Sequence, residues 1–210
     1  MQNLYIFPFN GNALEALDCI DRDVYNLKGF IDDTPEKQGY SAMGITVFSR
    51  DILNNDKEAK ILAVPGSPAS FTKRKVVIES LGIDEERFAT VVHPAAVISP
   101  LARIGKNVLI MAGVVVTSNA VIGDHVCILP NTVIHHDAHI GDYTLIGSNV
   151  TVAGSTTVGQ NSYIGSGTSL IHGISVGNFC LAGLGSNVID NVADYSKVAG
   201  NPARLIGKTL

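Results

Sequence analysis

From Ile98 onward the chain places a bulky aliphatic residue at every sixth position: Ile98, Ile104, Ile110, Val116, Ile122, Ile128, Ile134, Ile140, Ile146, Val152, Val158, Ile164, Leu170, Val176, Ala182 and Val188, with Ala182 the one small member. Half of these are followed directly by glycine, at Gly105, Gly123, Gly141, Gly147, Gly159, Gly165, Gly177 and Gly183. Four residues after the aliphatic comes a second small or branched residue, as in Ala102, Val108, Ala120, Thr132, Ala138, Thr144, Thr156, Ser162, Thr168 and Cys180. A period of six fits neither the 3.6 of an α-helix nor the 2 of an exposed strand. It fits a short strand plus a corner, three of which close a triangular coil of about eighteen residues. The aliphatic then points inward and stacks on the residue one coil later, while the small residue faces in near a corner. Glycine after the aliphatic leaves the outer surface open to a neighbouring backbone or a ligand. The sixteen hexads predict slightly more than five coils of a parallel β-helix, which buries its interior only by stacking. Their unbroken phase predicts no long loop between Ile98 and Val188. An inert solenoid would share the repeat, so function has to be read from the residues it carries.

Before Ile98 the six-residue rule is absent and α/β alternation takes over. Strands are expected at Leu4–Phe9, Asn26–Ile31, Gly44–Phe48, Lys60–Val64 and Phe88–Val92, with helices at Ala13–Ile20, near Arg50–Asn54 and through Leu81. This alternation predicts a small parallel sheet, with ligands beyond the carboxyl ends of its strands. Those ends are Asn10-Gly11-Asn12, Asp32-Asp33 and Pro65-Gly66-Ser67. The expected organisation is an α/β domain over 1–93, a β-helix over 94–192 and a tail over 193–210. Asp32 and Asp33 could accept hydrogen bonds from ribose or sugar hydroxyls, or could equally form a solvated turn. The loop after the first strand has a single glycine, Gly11, which argues against a dinucleotide such as NAD.

Composition narrows the classes. Fifteen Lys and Arg against nineteen Asp and Glu leave a net charge of −4, so there is no electrostatic case for nucleic acid or an anionic membrane. Scarce aromatics and 21 glycines suit a narrow β-helix interior. Cys19, Cys127 and Cys180 form no CxxC pair, consistent with a reducing cytoplasm. The N-terminus lacks the basic region and apolar core of a signal peptide, and no stretch approaches a membrane span. A soluble cytoplasmic protein is expected.

Four of six histidines fall between 125 and 139: His125, His135, His136 and His139. His136 lies two after Ile134, at a corner, and is followed by Asp137; His172 occupies the same corner position two coils later. An imidazole beside a carboxylate suits general-base work near neutral pH. Position alone does not choose among the four. Converging histidines could instead hold zinc. A γ-class carbonic anhydrase, also a hexad β-helix, needs three, including a pair spaced H-x4-H. His136 and His172 have a compatible spacing, but the residue five after His172 is Gly177, so the third ligand is missing and no metal is expected.

Four stretches together carry a resemblance: Phe30-Ile31-Asp32-Asp33; His93-Pro94-Ala95-Ala96-Val97-Ile98; Val133 through Gly141; and Val198-Ala199-Gly200-Asn201-Pro202-Ala203-Arg204. Over nearly its whole length the chain resembles the hexapeptide-repeat acyltransferases of the sialic acid O-acetyltransferase and bacillosamine N-acetyltransferase type. The resemblance implies a left-handed β-helix after a small Rossmann-like domain. It also implies a homotrimer with acetyl-CoA lying between adjacent β-helices, and a nucleotide-sugar acceptor on the N-terminal domain. The family's general base matches His136, with Asp137 as its acidic neighbour; His125, His135 and His139 become bystanders. Cofactor contacts match Gly154, Ser166, Gly183 and Leu184, with the Gly154 N–H as the oxyanion donor. Acceptor contacts match Asn10, Gly11, Asn12, Asp32 and Asp33. Two positions depart from the family pattern: the first-strand loop, Phe7 to Asn12, is poor in glycine and has no histidine, and Leu145 stands where many members have a second histidine. The implied reaction is acetyl transfer to an amino group of a nucleotide-linked sugar, for surface polysaccharide or glycan biosynthesis. The alternatives are O-acetylation of a sugar with the same donor, and a non-catalytic β-helical binding module.

Overall fold

The computed structural model describes the backbone of residues 1–210 and every side chain except that of Ala42. The hexads form a β-helix of two-residue strands, from Val97–Ile98 to Asn187–Val188, each ending on the inward aliphatic. Pairing is parallel and in steps of eighteen, so Ile98, Val116, Ile134, Val152, Leu170 and Val188 stack in one column. Three such columns make three flat faces, and no insertion breaks the phase. From Val116 on, every member of the series is buried. The helix is left-handed.

Apart from half-buried Ala102, the small inward residues are buried as the period predicts, and their hydroxyls bond across the corners. Thr132, Thr144, Thr156 and Thr168 each donate through Oγ1 to the carbonyl fifteen residues on, at 2.7–3.0 Å. Buried hydroxyls therefore carry no unmet desolvation cost there. The glycines after the aliphatics meet the next coil of the same chain: a Cβ on Gly141 would lie 2.7 Å from the Gln160 nitrogen. Close backbone approach, one of the two uses expected for them, is thus realised.

The N-terminal domain is a five-stranded sheet of β1 (Gln2–Phe7), β2 (Tyr25–Ile31), β3 (Ser41–Ala42), β4 (Ile45–Phe48) and β5 (Lys60–Ala63), ordered β3-β4-β2-β1-β5. Only β3 is antiparallel, to β4. The helices are short: α1 (Gly11–Glu15), continued by a 3-10 turn to Cys19, α2 (Ile52–Asn55) and α3 (Arg74–Glu79). The expected fifth strand, Phe88–Val92, is divided. Phe88 bridges to Ile61, whereas β6 (Val91–Val92) pairs with Leu109–Ile110 and forms the first rung of the β-helix. Residues 196–208 fold into a hairpin, Ser196–Gly200 with Ala203–Lys208, which pairs through Leu181–Ala182 and extends the same face.

That face is where the N-terminal domain docks. Leu109, Cys127, Leu145 and Tyr163 project outward from it into a cluster with Leu4, Ile6, Ala16 and Phe71. Buried polar residues complete the junction. Asn107 caps the β5 edge, its Oδ1 accepting from the Ala63 N–H at 2.7 Å and its Nδ2 donating to the Ala63 carbonyl at 2.9 Å. Arg74, 1% exposed, donates to the carbonyls of Pro65, His125 and Tyr143. Burial pulls its pKa down to about 10.

Candidate active site

The corner between the two free faces carries His136. A corner residue two places before the next strand's start is held in the left-handed backbone region, where Asn, Asp and Gly are best tolerated. Asn119 (φ 60°), Asp137 (φ 59°) and Gly173 (φ 75°) occupy this position on the corner of His136. The conformation brings side chains eighteen residues apart into line. Asn119 Nδ2 donates to Asp137 Oδ1 at 3.1 Å, and Asp137 Oδ2 lies 2.8 Å from His136 Nδ1. Hydrogen bonds from His136 and then Asn119 hold the Asp137 carboxyl below the usual carboxylate range. With Nδ1 engaged, Nε2 is the free nitrogen and carries the lone pair of the neutral ring.

One coil later lies Gly154, directly against that nitrogen. A Cβ there would stand 2.5 Å from His136 Nε2 and 2.6 Å from Cε1, so the ring occupies the space a side chain would need. The Gly154 N–H has no hydrogen-bond partner among the described residues, while its carbonyl accepts from Gly173. His172, the next residue in this register, has its ring 6.2 Å from that of His136. The corner thus offers an oriented imidazole, a free N–H and a notch between two rings.

The other candidates lie elsewhere. Asn10, Gly11 and Asn12 line a cleft of about 320 Å³ on the docking face, with Gly66, Ser67, Pro68, Leu129, Leu145, Gly147 and Tyr163. Asn10 is the N-cap of α1, accepting from the Ala13 N–H at 2.9 Å, and its Nδ2 donates to the Val64 carbonyl. Asn12 Nδ2 reaches the same carbonyl at 3.4 Å. Asp32 is 3% exposed and already paired, with Lys37 Nζ at 2.9 Å and the Thr34 N–H at 2.9 Å. Burial alone would raise its pKa, but these donors keep it below the ordinary value. Asp33 is held by Arg50 through both carboxylate oxygens. Ser166, Gly183 and Leu184 descend the corner beside the cleft: Ser166 Oγ accepts from the Ser148 N–H, below Gly147. Gly183 spends its N–H on Val198 and its carbonyl on Thr168 and Ser186. The N–H groups of Ser166 and Leu184 have no partner among the described residues, and Leu184 is 71% exposed.

The two groups of residues are on opposite sides of the β-helix. The cleft opens on the docking face; His136 sits at the corner between the other two faces. One chain does not bring them together. Of the remaining histidines, His125 is buried at the domain junction, stacked on Tyr143 at 4.6 Å with Nδ1 3.0 Å from Asn107 Nδ2. His139 faces solvent. No group of three metal-ligating side chains occurs among the described residues, and no helix is long and apolar enough to cross a membrane. Asn119 and the packing role of Gly154 were not anticipated from sequence, although counting back eighteen from Asp137 leads to Asn119.

Fold and corner geometry together define a left-handed β-helix of hexapeptide repeats, joined to a small α/β domain. Residues 101–136 and 119–154 match the family described as bacterial transferase hexapeptide (six repeats). No curated protein matches the chain by sequence. Solved structures do. PerB of Caulobacter crescentus, in complex with CoA and GDP-perosamine, is 22% identical over 99% of this chain and 98% of its own, with a TM-score of 0.86. The acetyltransferase domain of PglB from Neisseria gonorrhoeae is 25% identical over 98% of this chain and 100% of its own, with a TM-score of 0.85, and has also been solved with acetyl coenzyme A. WeeI from Acinetobacter baumannii is 22% identical over 98% of this chain and 100% of its own, at 0.82.

Proposed function

We propose that the protein transfers an acetyl group from acetyl-CoA to the amino group of a nucleotide-linked amino sugar, with His136 as general base. The observation that carries this reading is the relay Asn119–Asp137–His136, whose free Nε2 lies over Gly154, a residue with an unpartnered N–H. It is supported by end-to-end likeness to an acetyltransferase domain solved with acetyl coenzyme A and to a protein solved with CoA and GDP-perosamine.

In this mechanism His136 Nε2 removes a proton as the amine nitrogen attacks the thioester carbonyl. The Gly154 N–H stabilises the oxyanion that develops. Asp137 fixes the imidazole tautomer and stabilises its charged form, the orienting role of a carboxylate behind a catalytic histidine. Acetyl-CoA runs down the corner of Ser166 and Leu184, whose free N–H groups can bond to its pantetheine amides. Gly183 contributes shape only, its backbone groups being used within the β-helix. The acceptor nucleotide occupies the cleft at Asn10, Gly11 and Asn12. Asp32 and Asp33 act there by holding the Lys37 and Arg50 side chains, and meet the ligand only if those pairs rearrange.

Because cleft and base lie on opposite sides of one chain, each active site combines the cleft of one subunit with the His136 corner of the next. A homotrimer around parallel β-helices provides three such grooves, and its place of work is the cytoplasm. The test is incubation with acetyl-CoA and a panel of UDP-, dTDP-, GDP- and CMP-sugars, followed by mass spectrometry. One added acetyl on a 4-amino sugar but not on its hydroxy analogue is the expected result. Acetylation of the hydroxy analogue alone would establish the O-acetyltransferase reading. His136→Ala should lower turnover roughly 10²–10⁴-fold with CoA binding retained; unchanged turnover would remove His136 from the mechanism.

A further inference from the structure

His172 has no part in the relay, yet it stands where the reaction would take place. Adjacent coils of a β-helix are about 4.8 Å apart, so corner residues two coils apart are separated by roughly 9.6 Å at the backbone. The rings of His136 and His172 are nonetheless 6.2 Å apart, inclined at 44°. They lean toward each other over the coil between them, which Gly154 leaves without a side chain. The notch has His136 Nε2 on one wall, Gly154 at its floor and the His172 ring on the other wall. Unlike His136, His172 makes no side-chain hydrogen bond among the described residues and is exposed. A group that were merely filling surface would have no reason to incline across an empty coil toward the base.

Resting on the acetyl-transfer reading, we infer that His172 is a second catalytic histidine, the proton donor to the departing CoA sulfur. The amine lone pair forms the C–N bond and the amine proton goes to His136 Nε2. Collapse of the tetrahedral adduct breaks the C–S bond, and its electron pair leaves on sulfur. The proton held on His136 passes through solvent in the notch to His172, and the imidazolium so formed gives it to the sulfur, so one proton moves net from nitrogen to sulfur and both rings end neutral. Two imidazoles are useful because a single ring would have to swing from nitrogen to sulfur, and Asp137 ties His136 against such a swing.

The sulfur contact can be read without any acceptor. Titration calorimetry of the full-length protein with CoA and with desulfo-CoA, for wild type and His172→Ala, compares the contribution of the sulfur. Wild type should prefer CoA roughly five-fold, a hydrogen bond's worth, and the preference should vanish in the variant. With an accepted amino sugar, kcat of His172→Ala should fall roughly 10²-fold while KM for acetyl-CoA moves less than about three-fold. A melting temperature like wild type is expected, since the side chain is exposed and unbonded. If both proteins bind CoA with the same preference over desulfo-CoA, His172 does not touch the sulfur and the inference fails while acetyl transfer stands. If wild type binds no CoA, the acetyl-transfer reading falls and this inference falls with it. If CoA binds but no acceptor is acetylated, the desulfo-CoA comparison still decides the role of His172.

Discussion

Replacing Gly154 with alanine tests the corner more sharply than removing the base. The added methyl would stand 2.5 Å from His136 Nε2, against an ordinary contact of about 3.4 Å, so the ring must retreat by roughly 0.9 Å. It cannot retreat freely, because Nδ1 is held 2.8 Å from Asp137, which Asn119 holds in turn. Gly154 is not in the left-handed region, so alanine suits the backbone and keeps the N–H proposed to stabilise the oxyanion. The ring is exposed and the clash falls on a side chain, so the stability change should stay within about 1 kcal/mol. A displacement near 1 Å at a reacting group can cost on the order of 10²-fold. Steady-state kinetics should therefore show kcat down roughly 10²-fold in Gly154→Ala at an unchanged melting temperature. The double variant Gly154→Ala/His136→Ala should be no slower than His136→Ala alone, since both changes act through one imidazole. Full activity in Gly154→Ala, or additive losses in the double variant, would refute the placement of the base over this glycine.

Two further expectations concern the domain junction. Arg74→Ala leaves three buried carbonyls, of Pro65, His125 and Tyr143, without their donor, and should cost about 2–4 kcal/mol in urea unfolding; a loss under 1 kcal/mol would mean that water replaces the guanidinium. His125 is buried and its pKa is lowered, chiefly by desolvation. Below about pH 6.5 the unfolded chain therefore binds a proton that the folded chain resists, so stability is full above that pH and declines as pH falls toward the folded value. The urea midpoint should drop between pH 7.5 and 5.5, and that slope should flatten in His125→Asn; equal slopes would show that another group controls it.

Much of this fold is written in spacing, because a β-helix makes the same local decision every six residues. Ile134 and Val152 are neighbours in space for the reason that they are eighteen apart in sequence. The same ruler could have placed Val92, six before Ile98, on the first rung; instead the apolar run Phe88–Val92 reads equally well as a buried sheet strand, and only pairing with Leu109–Ile110 separates the two. The candidate site was legible where it obeys the repeat. His136, Gly154 and His172 share one register, and so do Asn119 and Asp137. What escaped are contacts between elements of different period. Asp32 is occupied by Lys37 because a 3-10 turn at Pro35–Lys37 carries that lysine back over the strand end. Arg74 is buried because α3 docks onto corners at 125 and 143. Neither contact leaves a trace in residue spacing.

The separation of cleft and base has a quantitative consequence of its own. The β-helix is a rigid, continuously packed rod, so no hinge within it can carry His136 round to the docking face. If the two halves meet only between subunits of a closed ring, each active site draws its cleft from one chain and its imidazole from the next. A chain carrying His136→Ala keeps its cleft; a chain carrying Ser67→Trp, which fills the cleft, keeps its base. Each should be inactive alone. Co-expressed in equal amounts and assembled at random, they should place an intact cleft beside an intact base at about one groove in four, and so recover roughly a quarter of wild-type turnover. Were the site confined to a single chain, every chain in the mixture would carry one lesion and no activity would return. Recovery near a quarter therefore distinguishes a shared site from a private one without any structure of the assembly.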